Sequence, residues 1–220
     1  MVLLKVKQGE KHLFNYECSV QDSVDETTQK IVQIFNSRLK LQRICDELAC
    51  LAKHGVQIKP EMMGLTPDQI VELKHVDEYA DSCVPSGGFD KECKDDVGRR
   101  CGRPPRNDMK NILIRTVNEA HGVILKDVKT INNDMIEEQI SNLRGAVMIV
   151  YPMNLPPYDH IRLEFEGKEE ESLSGTQASK EIITDGGSLW FASKLLQVDM
   201  SKKLADYLGN GKLSEKKVND

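Results

Sequence analysis

Much of what would identify an enzyme or a membrane protein is missing from this 220-residue chain. No apolar run approaches the roughly 18 residues that a membrane span requires. The opening MVLLKVK is too short and too alternating for the apolar region of a signal peptide, so a soluble, intracellular protein is expected. Net positive charge is absent too: the formal charge of −5 argues against general nucleic-acid binding. The six cysteines, Cys18, Cys45, Cys50, Cys83, Cys93 and Cys101, form no C-x-x-C pair. Free cytosolic thiols are therefore the expectation, with no metal and no cofactor. The minor reading is a metal site from Cys83, Cys93 and Cys101 with His75, which is not at finger spacing.

Catalytic signatures are equally scarce. There is no G-x-S-x-G elbow, and Ser86-Gly-Gly88 lacks the G-x-x-x-x-G-K-[ST] pattern of a phosphate loop. His160 follows Asp159, but neighbours in a strand point to opposite faces and cannot share a site. A non-enzymatic protein is expected.

What is present reads as an α+β scaffold. Apolar residues make up 39% and charged residues 30%, enough for a core with solvated surfaces. Val2–Lys7 and Leu13–Ser19 alternate apolar and polar residues across Gln8-Gly-Glu-Lys11, which predicts a β-hairpin. Ser23 or Asp25 caps a helix over about 25–53, with Ile31, Ile34, Leu41, Cys45, Leu48 and Ala52 on its stripe and Gly55 as the stop. Ala146–Tyr151 is an unbroken apolar run, the pattern of a strand buried on both faces. Beyond the proline-dense connector, Ile161–Phe165 alternates like a half-buried strand.

Hairpin, helix and later strands predict a split β-grasp, the ubiquitin-like arrangement, with Ala146–Tyr151 lying parallel beside Val2–Lys7. The segments 156–168 and 203–208 are similar to ubiquitin's PP-x-x-x-x-R-L-x-F-x-GK and L-x-D-Y elements. On this reading 1–55 and 144–208 form the core and 56–143 is a mainly helical insertion, with 209–220 as a flexible tail. Within the insertion, Thr66-Pro-Asp-Gln69 is a capping-box start for Ile70–Glu78, and helices are expected over Asn107–Lys126 and Asn133–Leu143. After the core run, Ser174-Gly-Thr-Gln177 starts a helical stretch that Gly186-Gly187 ends. Ser188 is expected to cap a helix over Leu189–Leu196, whose Trp190 is read as a core anchor.

Two loops are candidate protein-binding surfaces. Cys83–Pro105 is Gly/Pro-rich, and Arg99, Arg100, Arg103 and Arg106 accumulate without an intervening acid, which reads first as a solvated loop and alternatively as a docking patch for an acidic partner. The connector at 152–158 holds Pro152, Pro156, Pro157 and Tyr158, more prolines than a turn needs.

The stretches VPSGG, DDVGRR, LRGAVMIVYPMNLPPYDHIRLEFEGKE, LSGTQA, LWFASKLL and KKLADYLG resemble the Kurly family of cilia- and flagella-associated proteins, from end to end. The resemblance implies a non-enzymatic protein required for motile cilia, linked to axonemal dynein-arm assembly and to planar polarity of cilia, in the cytoplasm and the axoneme. No active site comes with it. Its blocks mark Val84, Pro85, Gly87 and Gly88 as candidate interaction residues, together with Gly175, Thr176 and Gln177. The pattern differs from the family at Cys93 and Cys101, and family members continue beyond the position of Asp220. The leading expectation is an adaptor that binds dynein-arm assembly factors or axonemal components. The alternative is a structural protein on doublet microtubules, with Arg99–Arg106 facing tubulin. An enzyme built on the β-grasp is a third class, which a pocket with convergent titratable groups would support.

Overall fold

The computed structural model describes residues 1–79, 82–126, 128–168, 170, 173–184, 186–196 and 202–208. The tail predicted at 209–220 lies outside them. The architecture is mixed helix and strand, and it divides into two compact units. A sheet unit takes residues 1–36, 128–132 and those described from Ile183 onward; a helical unit takes 37–127 and 133–182.

In the sheet unit, β1 (Val2–Gln8) and β2 (Lys11–Cys18) pair antiparallel from Val2↔Cys18 to Gln8↔Lys11, with an irregularity between Val6 and Lys7. Gly9, at φ +60°, supplies the left-handed residue of their tight turn. The alternation seen in sequence places Val2 and Cys18 in a core with Val24, Leu196 and Leu204, against which Leu4, Tyr16 and Leu189 pack. The outer edge of β2 is covered: Asn15 N–H donates to Lys129 O at 2.8 Å, and Ile131 N–H donates to Asn15 O at 2.9 Å, a parallel bridge. The helix α1 (Val24–His54) begins where Ser23 Oγ accepts from Glu26 N–H at 3.1 Å, with Asp25 and Glu26 in its first turn. Its residues up to Asn36 count with the sheet unit and the rest with the helical unit.

Leu189–Leu196 is not the predicted helix. β3 (Trp190–Phe191) and β4 (Lys194–Leu195) form a hairpin in which Ala192 and Ser193 both adopt positive φ, 49° and 63°. Two left-handed central residues match the twist of a two-residue hairpin turn, a geometry no helix contains. Trp190 is consequently exposed, not a core anchor. The short helix α7 (Leu204–Leu208) is tied back by Leu204 N–H to Asp22 O at 3.1 Å and Ala205 N–H to Val20 O at 2.7 Å.

The helical unit combines the rest of α1 with α2 (Pro67–Glu72), α3 (Asn107–Ala120), α4 (Asn133–Val150), α5 (His160–Glu166) and α6 (Gln177–Glu181). The Thr66–Gln69 capping box forms in both directions. Where a single helix was expected over Asn107–Lys126, the turns at His121–Leu125 widen to π geometry.

The principal correction falls on Arg144–Gly167. Ala146–Val150 is the last part of α4 rather than a strand, and Ile161–Phe165 lies in α5. The buried residues of α4 are Ile136, Gln139, Leu143, Ala146, Val147 and Val150, a helical stripe that continues through the apolar run. A short apolar run carries no period of its own, so its neighbours decide. α5 is set by its ends: the Asp159 side chain accepts from Ile161 N–H, and Gly167, at φ +72°, closes the C-terminus. The strand expected beside β1 is therefore not supplied by this segment.

Candidate functional site

Two constructions in the helical unit involve residues singled out by sequence, one buried and one exposed. The buried one begins with a turn. The Asp95 carboxylate accepts from the N–H groups of Arg99 (2.9 Å) and Arg100 (3.1 Å), and Gly98 N–H donates to Asp95 O at 3.2 Å. This closes DDVGRR on itself. Arg100 is buried and donates to Gly55 O at 2.9 Å and to the Glu47 carboxylate and carbonyl, while lying 3.7 Å from Asp159 Oδ2. Arg99 donates to the other Glu47 oxygen at 2.6 Å. Asp159 in turn accepts from Gln57 N–H and Ile161 N–H, both at 3.0 Å, and Gln57 Oε1 accepts from His160 N–H at 3.2 Å.

The electrostatics follow from this pairing. Burial alone would lower the Arg100 pKa, but the Asp159 and Glu47 carboxylates outweigh it and hold it above the ordinary value. Burial would raise the Glu47 carboxyl, and Arg100 and Arg99 hold it below the usual range instead. Gly55 completes the construction: its φ is +80°, and a Cβ there would sit 2.3 Å from Arg103 O. The network thus pins the 95–103 loop to the end of α1 and to the start of α5. Arg99 and Arg100 are committed to internal partners, contrary to the expectation of a displayed basic patch.

The remaining candidates divide by position. Arg103 lies 4.9 Å over the Phe89 ring, and the exposed Arg106 donates to Gly87 O at 3.3 Å. Val84 is exposed and Pro85 buried; between them and the left-handed Gly87 and Gly88, Ser86 caps α4, its N–H donating to Val150 O at 2.7 Å and its hydroxyl to Ile149 O at 2.9 Å. Pro156 is buried and Pro157 half-buried. The Tyr158 hydroxyl donates to Asp77 Oδ1 at 2.6 Å, and its ring meets Tyr79 edge-on at 6.0 Å. Burial, aided by that bond to Asp77, pushes the Tyr158 phenol up. Pro156 and Tyr158 are thus turned into the fold, and of the connector prolines only Pro152 is exposed. Gly175, Thr176 and Gln177 are exposed at the start of α6.

The exposed construction is a groove where α4 ends. Arg144, Val147, Met148, Pro152, Arg162 and Phe165 line it. The Arg144 guanidinium lies 5.4 Å over the Phe165 ring and donates to Phe165 O; Arg162 donates to Glu166 at 2.6 Å and to Leu155 O at 2.9 Å. Met148, Ile149 and Met153 stand exposed at or near it. Flexible thioethers on an apolar surface suit adaptable protein contacts rather than chemistry. Sequence reasoning missed Met148, Met153 and Phe165 because it placed them in or between strands. The stripe from Ile136 onward is the signal that would have put Met148 and Ile149 on the outer face.

All six cysteines are free, and burial pushes the Cys45 thiol up to about 12. Among the described residues no group of three or more His, Cys, Asp or Glu side chains is placed to hold a metal. No helix among them is long and apolar enough to cross a membrane.

No family model matches the chain, and no solved structure matches it. Curated relatives do. Cilia- and flagella-associated protein 298 of zebrafish and that of human are each 47% identical over 214 residues, covering 95% of this chain and 72% of the relative. The protein of the same name from Drosophila melanogaster is 44% identical over 215 residues, covering 96% of this chain and 72% of its own. With such identity over nearly its whole length and over more than two thirds of these relatives, the chain belongs to the cilia- and flagella-associated protein 298 family.

Proposed function

We propose that this protein is a non-enzymatic adaptor of motile cilia, of the Kurly type, acting in axonemal dynein-arm assembly. The family relationship supports the ciliary part of the reading. The observation that carries the adaptor part is the groove at the end of α4, where Met148 stands exposed among Pro152 and Phe165, with the exposed Met153 following Pro152 in the chain. Its occupant is an apolar segment of an assembly factor carrying an acidic residue, which the exposed Arg144 on the rim attracts, Arg162 being paired with Glu166. The platform in this reading is a split β-grasp. Its support is the hairpin, the capped helix, the parallel bridge to β2 and the turn at α7 tied to Asp22. A microtubule-bound structural role has less support, because Arg99 and Arg100 are engaged by Glu47.

Depletion from ciliated cells followed by rescue tests the proposal. Depleted cells should build cilia that lack dynein arms, and the wild-type chain should restore them. The folded Met148→Asp/Met153→Asp variant should not. Intact arms after depletion, or full rescue by that variant, would remove the proposal.

A further inference from the structure

The two edges of the β1–β2 hairpin are treated differently. That of β2 is closed by the 129–131 backbone. That of β1 has no backbone partner among the described residues, since the sheet holds only β1 and β2. Alongside this open edge runs an apolar slot with two backbone walls. One wall is β1 from Leu4 to Gln8, the other is the segment carrying Ile183 and Gly186–Leu189, and the floor is α1 at Ile31, Val32 and Phe35. The far wall is fixed independently of any occupant. Asn36 exchanges two hydrogen bonds with Ile183, at 2.7 and 3.0 Å. A Cβ on Gly187 would come within 3.0 Å of Thr28 Cγ2, so the chain there lies hard against α1.

We infer that this slot binds an extended segment of another protein, which adds as a strand to β1 and presents apolar side chains to α1 and acidic side chains outward. The backbone argument is that an unpaired edge offers a row of donors and acceptors, and strand addition is the recurrent way such edges are used. The side-chain argument is the alternation of β1 itself. Val2, Leu4 and Val6 face inward, while Lys5 and Lys7 are exposed on the opposite face. An added strand in register repeats that alternation, apolar over the slot and outward beside the two lysines, where acidic residues are favoured and basic ones disfavoured. The same lysines argue against a second copy of this chain: pairing one β1 edge with another brings Lys5 and Lys7 together with their counterparts. This inference rests on the sheet unit and is independent of the groove beside α4.

Hydrogen exchange of the 220-residue chain, with and without synthetic peptides, tests it. The probe is a nine-residue peptide alternating valine with glutamate; its control alternates valine with lysine. The glutamate peptide should slow exchange of those amides between residues 3 and 7 that point away from β2 at least about tenfold and leave α3 and α4 unchanged, while the lysine peptide should not. The Lys5→Glu/Lys7→Glu variant, altered only at exposed positions, should reverse the preference. Equal protection by both peptides, no protection by either, β1-edge amides already fully protected in the free chain, or concentration-dependent dimerisation through β1 would each overturn it. Because the α4 groove variants leave this readout untouched, its failure and that of the adaptor proposal are distinguishable.

Discussion

Two parts of the helical unit invert the usual placement of charge and hydrocarbon. In the 95–103 loop, Arg100 is only 4% exposed, whereas at the end of α4 and just past it Met148 and Met153 are 65% and 73% exposed. Each inversion has a cost, and the costs are met differently. A buried guanidinium is tolerated because Glu47, Asp159 and the Gly55 carbonyl surround it. The exposed methionines have no such compensation within the fold, and the adaptor proposal assigns that compensation to a partner. A charge inside therefore reports on architecture here, and under the adaptor proposal hydrocarbon outside reports on binding.

The contrast can be broken most forcefully at α4. Val147 is 3% exposed and Ile149 is 58% exposed. In a strand both would share a face; in a helix they point about 200° apart. Val147→Asp is expected to destabilise by more than about 4 kcal/mol and to unfold the unit. Ile149→Asp should cost less than about 1 kcal/mol. Urea titrations of the two variants decide it, and equal losses would restore the strand assignment.

Arg100→Met should come next, at about 3–5 kcal/mol, because it leaves the buried Asp159 without its cation and Glu47 with Arg99 alone. Adding Glu47→Gln should recover part of that loss in the same titration. A double variant no more stable than Arg100→Met would mean that the pair is not coupled.

A smaller effect separates the two regions by pH. The Glu47 carboxyl is held below its ordinary value of 4.5, so its contribution is complete above about that pH and disappears as the pH falls through the lower, folded-state value. Thermal melts between pH 5 and pH 3 should fall more steeply for the wild type than for Glu47→Gln. Parallel slopes would remove Glu47 as a source of acid sensitivity.

The smallest stability change is expected at the groove itself. Met148→Ser combined with Met153→Ser should shift stability by no more than about 1 kcal/mol in all, with a native circular dichroism spectrum. If the groove serves a partner, that variant loses its partner in a pull-down while the Glu47→Gln protein keeps it. The reverse pattern would move the binding surface to the loop.

Local signals made much of the fold legible. Alternation placed β1 and β2, the Thr66–Gln69 spacing placed the start of α2, and Gly55 marked the end of α1. The failures came where the deciding partner is distant or where a window is short. Ala146–Tyr151 is six apolar residues without a period, and only the stripe from Ile136 makes it helical. Trp190 is read as a core anchor within a Ser188-capped helix, which the left-handed Ala192 and Ser193 override. Arg99 and Arg100 have no acid among the arginines around them in sequence. Glu47 and Asp159, which lie far away in sequence, complete their environment.

The sheet unit is assembled from three separate stretches of sequence, and its last tie runs from Leu204 N–H to Asp22 O. On the ribosome, the hairpin and the start of α1 emerge first and yet must wait for nearly all of the remaining described chain before that tie can form. The helical unit, whose described residues end earlier, can collapse while synthesis continues. Assembly of the sheet unit should then be the slow phase of refolding, since closing so long a loop precedes any reward from its contacts. In that interval the β1 edge and its apolar neighbours are exposed to whatever binds nascent chains.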